Sequence, residues 1–177
     1  MDNFYEQLVV KNETSGDKAR RIGTVISGSL FTLCLVLIAM LQMDRPIMAL
    51  LGLLLAVGAG YGTYFLVTTS YVEYEYAFTN GELDVDKIIA KKKRSSLVSI
   101  NVSSFSDFGK YSDDMEESED MTVIFATDNV ISKEYYADFE HKDYGKTRLV
   151  FVPDERMMEN IRKFLPAKLK QKLASEQ

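Results

Sequence analysis

The chain has 177 residues, a formal net charge of −5, 46% hydrophobic residues, one cysteine and one histidine. The length suits one compact domain with an appended element, and the acidic balance excludes a general nucleic-acid binder, which needs a basic surface to release counterions from phosphates. A lone cysteine cannot form an internal disulfide, and a lone histidine cannot supply a paired-histidine metal site.

In chain order, the N-terminal segment 1–21 begins with Phe4, Tyr5, Leu8 and Val9, the spacing of a short interfacial or domain-docking helix, and continues through a polar stretch from Asn12 to Asp17. Two apolar runs follow, Ile22 to Met43 and Ile47 to Thr68, separated by Asp44-Arg45-Pro46. Neither carries a charged side chain, and Cys34 lies inside the first. At about 1.5 Å rise per residue each run crosses the roughly 30 Å hydrocarbon core, so residues 22–68 are predicted to form a transmembrane hairpin in the lipid bilayer. Lys18, Arg20 and Arg21 precede the first run, Arg45 stands beside Asp44 in the loop, and Lys87 with Lys91 to Arg94 follow the second. Cations resist translocation, which predicts a multi-pass plasma-membrane protein with both termini cytoplasmic. The first run is longer than a signal-peptide core and no A-x-A-like cleavage site follows it, so it is expected to remain as an anchor.

Small residues mark the expected helix–helix contact: Gly23, Ser27 and Gly28 in the first run, and the GxxxG pair Gly58 and Gly62 in the second. Folding back at Asp44-Arg45 brings Ser27 to nearly the depth of Gly62. The same face would serve homodimer formation. Neither run carries the intramembrane charge that a transport pathway requires.

A soluble domain is expected over 71–177, a typical single-domain length. Val72, Tyr74, Tyr76 and Phe78 alternate with polar residues as in a half-buried strand. Asn80-Gly81 supplies a hairpin turn, and Leu83, Val85 and Ile89 read as the returning strand. A third strand covers Ser95 to Val102, and Asn101 to Gly109 adds a short fourth. The run from Lys110 to Asp120 carries Asp113, Asp114, Glu116, Glu117, Glu119 and Asp120 and reads as a solvated loop, without the spacing of a calcium loop. Strands resume at Met121 to Thr127, turn at Asp128-Asn129, return through Ile131 to Phe139, and end with Thr147 to Val152. Asp154 is placed to cap a helix whose Met157, Ile161, Phe164 and Leu165 form one apolar stripe, with Pro166 bending or ending it. The tail alternates Lys168, Lys170 and Lys172 with leucines, a basic amphipathic segment.

Antiparallel strands closed by one C-terminal helix define an α+β membrane protein in which the hairpin precedes a PH-like antiparallel barrel or sandwich. The segment from Ala77 to Val85, the basic turn, and Leu97 to Val102 resemble the opening hairpin and third strand of bacterial PH-like membrane proteins. The whole layout is similar to a family of small Gram-positive membrane proteins with two transmembrane helices followed by a PH-like domain. It departs from that form where Ala90 to Arg94 stands in place of a glycine turn. The resemblance implies a fold more than an activity.

Two interaction readings remain open. Lys91, Lys92, Lys93 and Arg94, with Lys168, Lys170 and Lys172, are candidates for contact with anionic phospholipid, each cation near the leaflet being worth about 1 kcal/mol. Alternatively, an apolar or edge-strand surface engages a protein partner. Catalysis is not expected. His141 has no sequence partner for a triad, Cys34 lies in lipid, and no glycine-rich phosphate loop, metal-ligand set or cofactor motif is present.

Overall fold

The computed structural model describes residues 3–112, 114–115, 118, 120–128 and 134–175. Asp113, Glu116, Glu117 and Glu119 of the acidic run, Asn129 of the expected turn, and Ile131 lie outside the described residues. Two compact units are present, Met1–Asn12 with Val72–Gln177, and Glu13–Tyr71.

The second unit is a helical hairpin of α1 (Ser15–Leu41) and α2 (Pro46–Thr68). Thr14 caps α1 through a reciprocal arrangement with Asp17, and Pro46 opens α2 where its missing N–H is harmless. Both helices are long and apolar enough to cross a membrane, and only Ala39 and Ala56 are buried in them. At the open end of the hairpin, Arg21 pairs with Glu13, donates to the Tyr71 hydroxyl at 2.7 Å and lies over its ring.

The first unit consists of two four-stranded sheets and two helices. Sheet A has the order β1 (Phe4–Val10), β2 (Val72–Thr79), β3 (Glu82–Ile89), β4 (Lys93–Asn101), all antiparallel. The segment expected to be a helix is thus a strand, and its alternating burial follows a period of two. Phe4, Leu8 and Val10 share one face of it and Tyr5 and Val9 the other, so Phe4 with Leu8 and Tyr5 with Val9, the i, i+4 pairs of a helix, also fall on common faces of a strand. The sequence boundary at Tyr71 leaves this strand out of the unit it completes.

Sheet B has the order β5 (Asp107–Lys110), β7 (Tyr135–His141), β8 (Gly145–Phe151), β6 (Thr122–Ala126). The tight turn at Gly145 keeps β7 and β8 adjacent, and β6 therefore joins the free edge of β8, running parallel to it. Of the expected antiparallel barrel or sandwich, the sandwich is the form present, since among the described residues no strand pair links the two sheets; the expectation of wholly antiparallel pairing is corrected at one ladder, β6 with β8, which is parallel. The sheets face each other across a core that includes Tyr76, Phe78, Leu83 and Val85 from sheet A and Phe108, Leu149 and Phe151 from sheet B. Helix α3 (Glu155–Phe164), capped by Asp154, adds Met157 and Ile161 to this core. After Pro166 a further helix, α4 (Ala167–Ser175), adds Leu169 and Leu173.

Hydrogen bonds tie the parts together. Tyr76, fully buried in β2, donates its hydroxyl proton to the Ala126 carbonyl at the end of β6 and accepts from the Val152 N–H just beyond β8, at 3.2 Å. The Gln7 amide donates to the Val152 carbonyl at 2.8 Å and accepts from the Asp154 N–H at 2.9 Å, while the Tyr5 hydroxyl donates to Asp154. Strand β1 is thereby fastened to the corner between β8 and α3.

Tyr76→Phe keeps the ring but leaves a buried carbonyl and a buried N–H unpaired, and is expected to destabilise the domain by about 3 kcal/mol, read as a lowered thermal midpoint. A chain in which Asn-Gly joins Asn12 directly to Tyr71, replacing 13–70, is expected to be soluble and to unfold cooperatively, because Val10 already lies opposite Glu73. A chain starting at Tyr71 lacks β1 and is expected to show no cooperative transition by calorimetry.

Candidate functional site

The predicted basic residues lie on the β3–β4 turn. Lys92 N–H donates to the Ile89 carbonyl at 3.1 Å, and Ala90 and Lys91 both have φ of 56°. Those are the left-handed values that Asn-Gly supplies in the β2–β3 turn, where Gly81 has φ of 97° and the Phe164 ring lies where a Cβ would sit. Ala and Lys hold the same geometry at a cost of about 1 kcal/mol each. Position explains the use of this turn. The registers Val10↔Glu73, Val72↔Ile89 and Ile89↔Lys93 place it at the end of sheet A from which residues 11–14 and 69–71 leave for α1 and α2.

Carboxylates stand behind the turn on the outer face of the sheet. Lys91 Nζ is 3.8 Å from Glu73, and Arg94 is 2.6 Å from Glu75 and 3.7 Å from Asp86. Arg94 is thus held against the sheet. Lys92 and Lys93 are exposed and form no ion pair among the described residues.

The C-terminal lysines are not brought to this turn. Lys170 Nζ donates to the Lys163 carbonyl at 2.8 Å, next to Phe164, which rests on Gly81 at the opposite end of sheet A. Lys168 is exposed on α4. Lys172 is engaged in holding α4 to sheet B: its Nζ donates to Asp107 at 2.7 Å and to the Tyr136 hydroxyl at 3.1 Å, and the same hydroxyl donates to Asp107 at 2.9 Å. Next to them Arg148 makes a two-pronged pair with Asp138, both bonds 2.7 Å, and covers the Tyr136 ring. Burial raises the Asp107 carboxyl, but Lys172, Tyr136 and the Phe108 N–H outweigh it and hold the group below its ordinary value of 3.8. Burial likewise disfavours the Lys172 ammonium, and Asp107 and Tyr136 reverse this, raising it above the ordinary lysine value.

In the hairpin, the closest approach runs through Gly28 against Thr63 and Gly52 against Ala39, where a Cβ on Gly52 would lie 2.8 Å from the Ala39 Cβ. Gly23, Gly58 and Gly62 have open space at the corresponding point, and the Ser27 hydroxyl turns back to the Thr24 carbonyl. Gly28 thus takes the expected place in the contact, while on α2 the contact runs through Gly52 and Thr63, about 100° of rotation from Gly62.

His141 stacks on Tyr144 and accepts the Asp143 N–H in the β7–β8 turn, and no group of three metal-ligating side chains converges among the described residues. Two packed sheets with a C-terminal helix, β1 separated from β2 by an apolar helical pair, and a basic turn beside both connections define a PH-like domain built around a hairpin insertion. The chain matches the family described as "Bacterial PH-like domain (DUF6106)" over residues 1–171, and it belongs to that family. No curated protein and no solved structure matches it. A PH-like domain supports a module for protein or lipid interaction.

The Asp107 shift makes the α4 attachment acid-sensitive. A carboxylate whose folded-state value is depressed contributes stability above its unfolded value and loses it as pH falls through the folded one. The pair is more than a third exposed, so the contribution after screening is about 0.5–1 kcal/mol. The gap in thermal midpoint between the native chain and Asp107→Asn is expected to be open at neutral pH and to close once the pH is well below 3.8. The Lys172 charge persists until the pH exceeds 10.5, so no matching loss is expected on the mildly alkaline side.

Proposed function

We propose that the chain is a non-catalytic, membrane-anchored interaction protein in which α1 and α2 cross the plasma membrane, both termini are cytoplasmic, and the PH-like domain presents the Lys91–Arg94 turn to anionic phospholipid headgroups. The observation that carries this reading is the location of the turn at the end of sheet A from which both connections to the apolar helices depart. Residues 11–14 and 69–71 are the whole of the two connections. Pairing of β1 with β2 requires the chain before α1 and the chain after α2 to be on one side of the bilayer, as two spans allow. The cations before α1 and at the turn, against a single Arg45 between the helices, favour the cytoplasm as that side.

With Arg94 occupied by Glu75, the lipid-facing charge is that of Lys91, Lys92 and Lys93, worth about 2–3 kcal/mol at an anionic leaflet. The test uses the full chain with Cys34→Ser and a fluorophore on Ser95→Cys, in nanodiscs containing a headgroup-level quencher lipid. Quenching is expected in phosphatidylglycerol nanodiscs at low salt, and to be lost near 1 M salt, where the screening length falls to about 3 Å. It should also be lost in pure phosphatidylcholine and in the Lys91→Gln, Lys92→Gln, Lys93→Gln variant. Equal quenching in both lipids, or none in either, would overturn the proposal.

A further inference from the structure

Sheet A turns one face to the core; on its outer face Glu73 of the central strand β2 is buried, while edge strand β1 stays exposed. On edge strand β1 that outer face carries Phe4, Leu8 and Val10, which are 57%, 56% and 55% exposed. An apolar row on an edge strand is a feature that single domains normally avoid unless something covers it. Directly opposed residues share a face, so the registers Leu8↔Glu75↔Asp86, Glu6↔Ala77↔Asp84 and Phe4↔Thr79↔Glu82 put carboxylates beside this row. Arg94 answers Glu75 and Asp86 at the turn end, whereas Glu6, Asp84 and Glu82 form no ion pair among the described residues.

We propose that the outer face of sheet A docks a basic amphipathic segment of a protein partner, its apolar side chains on Leu8 and Val10 and its cations on Glu6, Asp84 and Glu82. Charge complementarity selects this occupant over two others. An anionic lipid surface attracts the turn but repels the face, so the domain stands on its tip and the face stays open. A second copy is the poorer match, an argument that rests on the membrane placement proposed above: an axis along the membrane normal keeps each row of the face at its own height, so Glu75 and Asp86, or Glu6 and Asp84, of two copies share a level and no cation is added to answer them. Four strands about 4.8 Å apart and about 23 Å long give a face of roughly 400 Å². That is about half of what one side of a standard interface buries, so the face fits a single segment with modest affinity rather than a folded domain.

The experiment uses the full chain in phosphatidylcholine nanodiscs, where the basic turn has no anionic lipid to engage. The probe is a labelled synthetic nonapeptide alternating lysine and leucine, followed by fluorescence anisotropy at physiological salt, with empty nanodiscs subtracted and a glutamate–leucine peptide as control. Saturable binding is expected for the lysine peptide alone, weakened at least tenfold both by Glu6→Gln with Glu82→Gln and Asp84→Asn, and separately by Leu8→Ser. Unchanged thermal midpoints establish that these variants fold. Absence of binding, binding indifferent to the carboxylate variant, or binding indifferent to Leu8→Ser, which is general charge attraction, would each overturn the proposal. Lipid quenching at the turn is read in a separate lipid, so the two readings fail independently.

Discussion

The pairing of β1 with β2 is the constraint on which the remaining structure depends. These strands are neighbours in sheet A yet separated in sequence by about sixty residues, all of the hairpin among them. Closing a flexible loop of that length costs about 3–4 kcal/mol beyond the constant term. A formed hairpin removes most of this cost, because two packed helices hold their ends about 8–10 Å apart, and only the short connections are left to order. The Arg21 contacts with Glu13 and Tyr71 reinforce that closure where the hairpin opens. A formed hairpin thus lowers the cost of completing the sheet, and the sheet in turn fastens the N-terminal segment.

Everything that positions the basic turn follows from this pairing. Gln7 and Tyr5 lock β1 to the β8–α3 corner, Tyr76 bridges β2 to the ends of β6 and β8, and β3 and β4 continue the same ladder out to Ala90–Lys92. The turn therefore projects from a rigid frame. Strain at Ala90 and Lys91 is tolerated because eight paired positions on each side over-determine it. The charge pattern has the same frame: cations concentrate at the end tied to the helices, and carboxylates extend along the outer face away from it.

Local features of the chain were legible where the signal was local. The apolar runs, the Asn80-Gly81 turn, the Asp154 cap and the Met157–Ile161–Leu165 stripe each depend on residues within one or two turns of chain, and each has its place in the structure. Strand β1 was not legible as a strand, because the pairs Phe4 with Leu8 and Tyr5 with Val9 fit two periodicities and its partner lies beyond the hairpin. At the seam between α1 and α2, Gly28 lies in the contact as its small size suggests, whereas Gly58 and Gly62 do not, since rotation about a helix axis is decided by side-chain fit at Gly28–Thr63 and Gly52–Ala39 rather than by the presence of glycines. Lys172 carries no sequence sign that it binds Asp107, sixty-five positions away. The basic run at 91–94 was visible as composition; its nearness to both connections depends on a strand register that composition does not contain.

Tethering changes what such a turn needs to accomplish. A free domain with three such lysines, at about 1 kcal/mol each, would bind an anionic bilayer too weakly to stay. On the proposed membrane placement, a domain joined through residues 11–14 and 69–71 meets the surface at an effective concentration in the millimolar range or above, so the same contacts would shift its orientation rather than its attachment. On that proposal, attachment belongs to the apolar helices and orientation to the basic turn.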